Sequence, residues 1–181
     1  MPVLEIREAA FVRGGVTILQ SLNITVERGQ RKTDVRDDPF VASLVARIAA
    51  GIVKCTEGKV FVSDYDPAIQ PVQAKRLVGF VPASLPENQL AGLERYVRYR
   101  AALWSIEYAV ALRRARCALS ALADTEPRFA RTLAGALSSA PPLIVLDQPP
   151  KGAAAAVLAA IGSTGLLTTH TCAHEARAWK V

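Results

Sequence analysis

Pro141-Pro142-Leu143-Ile144-Val145-Leu146-Asp147-Gln148 is the stretch on which the reading of the fold turns. Four consecutive apolar residues stand between a proline pair and an aspartate, with no alternation of polar and apolar positions. A strand with one wet face would alternate. An unbroken run fits a strand covered on both faces, as in the middle of a parallel sheet. Downstream, an alanine-rich helix follows Gly152, a second apolar strand covers residues 165–169, and a short helix begins near Cys172. Upstream, residues 77–81 read as a strand closed by Pro82. Residues 40–50 are apolar at helical spacing and stop at Gly51. Strands that alternate with helices imply an α/β layer architecture.

The N-terminal part reads differently. Residues 3–8, 16–20 and 22–27 are short strands separated by Arg13-Gly14-Gly15 and ended by Arg28-Gly29, and residues 59–63 form a further strand. Residues 64–71 read as a turn-rich loop, in which Asp64 and Asp66 suit local hydrogen bonding before Pro67. From about residue 90 to 137 the chain turns helical, with Pro127 as the clearest interruption, so an inserted helical subdomain is expected over residues 87–130. With 181 residues the chain has room for one domain, residues 1–181.

Composition narrows the function classes. The net charge is +6, but Lys and Arg are spread along the chain, which fits a solvated basic surface better than a nucleic-acid footprint. Cys55, Cys117 and Cys172 are odd in number and far apart, a poor disulfide framework that suggests a reducing compartment. The first residues carry charges where a secretory leader needs an apolar run. No stretch approaches the roughly 18 consecutive apolar residues that span a bilayer. The expectation is a cytoplasmic chain whose membrane association runs through a partner protein.

Five fragments in order resemble one family. VLEIREAAFVRGGVTILQSLNITVERGQ (3–30) is similar to the opening antiparallel strands of ABC transporter ATP-binding domains. RIAAGIVKCTEGKVFVSDYDPA (47–68) resembles the helix, loop and strand after their phosphate loop. RLVGFVPA (76–83) resembles the strand before their glutamine loop. ALSSAPPLIVLDQPPKG (136–152) resembles the second nucleotide-binding strand and its flanks, and LLTTH (166–170) the strand ending in the switch histidine. The resemblance covers nearly the whole chain and stops some tens of residues short of the family's C-terminus. It implies a P-loop NTPase-like α/β sheet with N-terminal antiparallel strands and an inserted helical subdomain.

Residue by residue, the family's chemistry is mostly missing. A phosphate loop G-x-x-x-x-G-K-[ST] uses glycines so that backbone N–H groups wrap the phosphates, a lysine for their charge and a hydroxyl for Mg²⁺. Laid without gaps, it falls on Arg36 to Ser43, where Arg36 and Val41 replace the glycines, Ala42 replaces the lysine and only Ser43 matches. A lysine about 4 Å from a phosphate charge is worth roughly 4 kcal/mol at an effective dielectric near 20, and Ala42 removes it. Asp37 and Asp38 add like charge, and Pro39 removes an N–H. The preceding segment, Arg31-Lys32-Thr33-Asp34-Val35, carries four polar residues and cannot be a strand buried on both faces without costly partners.

The remaining positions follow the same trend. Arg13 stands where an aromatic would stack on adenine, with Phe11 two residues away and on the same face of a strand. Ala83 replaces the glutamine of its loop. The signature pentapeptide falls on Ala123-Asp124-Thr125-Glu126-Pro127. Asp147 matches the Mg²⁺-linked aspartate, but the catalytic base is replaced by Gln148, which cannot accept a proton as a carboxylate does. The following loop ends at Ala154 rather than an aspartate, and His170 matches the switch histidine. Ser43, Asp147, Gln148 and His170 are thus the vestigial nucleotide-binding set, with no catalytic residue and no metal site assigned.

The resemblance implies a catalytically inactive pseudo-ATPase without a cofactor, acting as an interaction or regulatory subunit of a transport system. Its expected partners are a membrane permease, an intact ABC ATPase or a second copy of itself. Nucleic acid and direct membrane insertion are not expected. The alternative is a divergent ATP-binding exporter subunit that works with ATP and Mg²⁺ through Ser43, Asp147 and His170; a decayed gene product without a selected role is a third reading. Two other motifs stay open. His170, Cys172 and His174 are competent metal ligands lacking a fourth partner nearby, and the series Arg95-Tyr96-Val97-Arg98-Tyr99-Arg100 with Trp104 suits helix packing, a protein partner or stacked nucleic-acid bases.

Overall fold

The computed structural model describes residues 1–84, 92–171 and Trp179. Two sheets organise it. The first is antiparallel, in the order β2-β1-β4, from β1 (Pro2–Arg13), β2 (Val16–Glu27) and β4 (Glu57–Phe61). The second is parallel, in the order β3-β7-β6-β5, from β3 (Arg31–Val35), β7 (Gly165–His170), β6 (Leu143–Asp147) and β5 (Val78–Val81). Helix α1 (Pro39–Ala49) joins β3 to β4, α2 (Pro71–Arg76) precedes β5, and α6 (Ala154–Ile161) lies between β6 and β7. Helices α3 (Leu93–Trp104), α4 (Tyr108–Ala121) and α5 (Pro127–Leu137) form the helical block between β5 and β6. The α/β class expected from residues 141–148 holds.

β6 is why the fold has two cores. All five of its residues are buried, and its side chains point alternately to the two faces. Leu143 and Val145, with Leu167 of β7, pack against α1 and the antiparallel sheet. Ile144 and Leu146, with Leu166, pack against α5 and α6. A smaller third cluster of Val97, Ala101, Ala111 and Ala115 joins α3 to α4.

Several sequence expectations need correction. Residues 16–27 form one strand rather than two, because the apparent break at Ser21 is a bulge. Ser21 and Glu8 both take positive φ (40° and 48°), the β1–β2 register shifts there, and Asn23 Oδ1 accepts a hydrogen bond from Glu8 N at 2.9 Å. Pro71, expected at the end of a loop, instead opens a short helix over residues 71–76, a stretch to which the sequence assigned no helix. The helical stretch is broken twice: Ser105 takes a left-handed conformation after α3, and the chain turns again between α4 and α5. Pro127 opens α5 rather than interrupting it. The short helix expected from Cys172 falls outside the described residues.

The polar segment before α1 is a strand, and its place explains its composition. β3 pairs only with β7, at the edge of the parallel sheet among the described residues, so its polar side chains need not enter a core. Asp34 is engaged by Arg36 through two hydrogen bonds of 2.8 Å, and Thr33 Oγ1 accepts one from Thr168 Oγ1 at 3.2 Å. Part of the basic-aromatic series packs within the helical block, while Tyr99 stays exposed. Arg100 stacks between Tyr96 and Trp104 (5.9 and 5.5 Å to the ring centroids), Arg98 lies 5.0 Å over Tyr108, and Val97 and Ala101 are buried.

Two substitutions test this account by urea unfolding. Leu146→Ala opens a cavity on the α5 face of β6 and is expected to cost about 2–5 kcal/mol. Gly58 takes φ +78° with the carbonyls of Arg7 and Glu8 where a Cβ would sit, so Gly58→Ala is expected to cost about 1–3 kcal/mol through the β1–β4 pairing. Neutrality of either variant would contradict the packing described.

Candidate functional site

The C-terminal ends of β3, β6 and β7 face the start of α1, and there the structure gathers most of the residues singled out in the sequence. In open parallel sheets this end is where ligands bind. β6 delivers Asp147, which is buried, and the next residue, Gln148, takes a positive φ of 47° that turns its side chain back toward α1. Ser43 Oγ donates to Asp147 Oδ1 at 2.9 Å. Gln148 Nε2 donates to Ser43 Oγ at 3.1 Å and to the Pro39 carbonyl at 3.2 Å. Ser43, Asp147 and Gln148 therefore form one hydrogen-bonded knot. His170 stands at the end of the neighbouring strand, just past Thr169, the residue that pairs with Asp147. It is buried, with its ring centroid 5.9 Å from that of Trp179. Cys172 and His174, the other two ligands of the open metal reading, lie outside the described residues.

The segment laid against a phosphate loop has its own geometry. Only Arg36, Asp37 and Asp38 connect β3 to α1, and the helix begins at Pro39, so the last five of the eight loop positions are helical. Asp38 is the N-cap, and its Oδ1 accepts from Phe40 N at 2.7 Å. The first backbone donors of a helix attract anions; here a carboxylate tethered to the same chain takes that position. Arg36, the one cation inside the loop, has its guanidinium bound in a fork by Asp34.

The pentapeptide 123–127 repeats the device at α5. Glu126 is the N-cap, accepting from Arg128 N at 2.9 Å and from Phe129 N at 2.6 Å, and Pro127 follows it as Pro39 follows Asp38. Both helix starts thus read acid-proline, with a proline suited to the first helical position. Glu126 and Phe129 also line a cavity of about 450 Å³ together with Ala83, Asp147, Gln148 and Pro150.

A second cavity, of about 400 Å³, opens between β1 and the exposed side of α1. Phe11 and Arg13 both line it, as their spacing on one strand face implies, and α1 adds Phe40, Ser43, Leu44 and Arg47. Phe40 and Arg47 were missed in the sequence. The signal was available: with the helix starting at Asp38-Pro39, positions 40, 43, 44 and 47 share one helical face.

No family model matches the chain. The zinc import ATP-binding protein ZnuC of Brucella melitensis is 29% identical over 157 residues, which are 83% of this chain and 49% of that protein. The chain spans about half the length of the curated relatives it matches. Among solved structures, an ATP-binding subunit of an ABC transporter superposes with a TM-score of 0.78 at 17% identity, covering 98% of this chain and 82% of the other. A dimeric ATP-binding cassette bound to ADP and phosphate gives a TM-score of 0.71 at 17% identity, covering 97% and 91%. The fold is that of ABC ATPase domains.

The knot and the cap should separate in a stability measurement. Ser43→Ala deprives the buried Asp147 of a donor and is expected to cost about 1–3 kcal/mol, whereas Asp38→Ala removes one exposed cap at about 1 kcal/mol. Urea midpoints for the two variants check the ranking; a Ser43→Ala protein as stable as the parent would mean that the knot contributes nothing.

Proposed function

We propose that this chain, an ABC nucleotide-binding-domain-like protein, is a pseudo-ATPase that serves as an interaction or regulatory subunit of a transport system. The observation that supports it best is the pair of acid-capped helix starts. In the resembled family, α1 and the helix after the signature meet the phosphates of ATP; here Asp38 and Glu126 hold the first backbone donors of those helices. A bound triphosphate would have to displace a covalently tethered carboxylate at each place and then sit beside it. The charge that would offset this repulsion is missing at Ala42, and Arg36 is engaged by Asp34. Ser43 and Gln148 satisfy one another and Asp147 without a cation. The residues present do not fit Mg²⁺-ATP.

An interaction role draws on a different surface. Ile52, Ile69 and Val72 are 52%, 76% and 61% exposed. Ile52 and Ile69 line a cavity of about 540 Å³ with Val53, Pro67 and Pro71, flanked by Lys54 and Lys59. Clustered exposed aliphatic side chains mark sites of protein contact. No helix among the described residues is long and apolar enough to cross a membrane. The proposed place is the cytoplasmic face of a membrane, through a permease, an intact ATPase or a second copy of the chain.

One finding favours the divergent ATP-binding subunit: the curated relatives are named ATP-binding proteins, and Ser43, Asp147 and His170 match the family's positions. Thermal unfolding with and without Mg²⁺-ATP decides between the two. A ligand at 100 times its dissociation constant stabilises by about 2.7 kcal/mol. The pseudo-ATPase reading expects an unchanged midpoint at millimolar nucleotide. A dose-dependent rise of several degrees would replace it with the ATP-binding reading.

A further inference from the structure

The cavity between β1 and α1 has a chemistry that the proposed pseudo-ATPase role leaves unexplained. It is lined by Phe11 and Arg13 from β1, Phe40 and Arg47 from α1, and the polar side chains of Ser43 and Gln148. No aspartate or glutamate lines it. Neither the Arg13 nor the Arg47 side chain has a hydrogen-bond, ion-pair or ring partner among the described residues, so two positive charges face the cavity uncompensated. Of the acids before α1, Asp34 is held by Arg36, Asp38 caps α1, and the exposed Asp37 does not line the cavity. Phe40 is 51% exposed and lines the cavity together with the half-buried Phe11, which packs against the main core. Two rings and two free guanidinium groups therefore line a space of about 400 Å³, within the range of small-molecule sites.

We infer that this cavity binds a small planar anion, an aromatic carboxylate, with its ring on Phe11 and Phe40 and its carboxylate on Arg13 and Arg47. A guanidinium fork matches a carboxylate in two parallel hydrogen bonds and also stacks on aromatic faces. One carboxylate held between the two arginines needs no helix N-terminus. A triphosphate brings several charges and must extend toward the end already held by Asp38. The inference rests on the pseudo-ATPase reading only in this last respect, that the phosphate end of the cleft is taken.

Isothermal titration of the full chain with 2-naphthoate, its neutral isostere 2-naphthylmethanol and Mg²⁺-ATP tests the inference. Saturable naphthoate binding at least about tenfold tighter than that of the alcohol is expected, with a loss of about tenfold or more in Arg13→Ala/Arg47→Ala, as charge-assisted pairing requires. Phe40→Ala should weaken naphthoate and alcohol alike. Arg13, Arg47 and Phe40 are exposed, and unchanged thermal midpoints of the variants confirm that they fold. Equal affinity for acid and alcohol, an unaffected double-arginine variant, or no saturable binding of naphthoate overturns the inference. Failure of naphthoate and ATP together overturns this inference alone. Mg²⁺-ATP competing at the same site with higher affinity overturns the pseudo-ATPase reading as well.

Discussion

The burial of β6 on both faces is the constraint from which the rest of the structure follows. Leu143 to Leu146 send side chains alternately into two cores, so neither layer of helices can move without exposing part of this strand. At about 25 cal/mol per Å² of apolar surface, each fully covered aliphatic side chain contributes on the order of 2 kcal/mol, and the strand supplies four in succession. Its parallel neighbours β5 and β7 then fix where the chain emerges. Asp147 is placed at the C-terminal end of the sheet, and Gln148 makes the turn that carries it back to α1.

At that end the balance is electrostatic. The first turns of α1 and α5 present backbone N–H groups and the positive end of a helix dipole, which any anion can satisfy. A side-chain carboxylate one residue before the helix has an advantage over a ligand in solution, since it loses little further freedom on binding. Asp38 and Glu126 both exploit this, and the prolines that follow them preset the helical φ at no loss of a needed donor. The same economy governs Ser43, Asp147 and Gln148, whose donors and acceptors are matched within the chain. In the family that this chain resembles, such groups are left for the ligand. Here they hold the protein to itself.

The cavity beside α1 offers a different chemistry from that of the helix start. Phe11 and Phe40 keep an aromatic surface, while Arg13 and Arg47 supply charge from positions outside the phosphate loop. One of these arginines stands on β1 and the other on the side of α1. A lining with two arginines and no aspartate or glutamate suits a compact anion.

Much of the architecture was legible along the chain. The apolar run before Asp147, the glycine stop at Gly51 and the apolar strand before His170 each encode local preferences, so the α/β class and the places of α1, β6 and β7 followed from residue type and spacing. That residues 36–43 contain no glycine and no lysine was equally visible, because identity alone decides whether such a side chain exists. Tertiary structure decided the rest. That β3 tolerates four polar residues depends on its pairing with β7, more than 130 positions away, and on its place at the sheet edge. The bulge at Ser21 depends on Glu8 across the strand pair. Phe11 and Arg13 meet Phe40 and Arg47 only because the antiparallel sheet lies against α1. Periodicity reports which face of an element is apolar; which other face it meets is set by packing among elements distant in sequence, and no local pattern contains it.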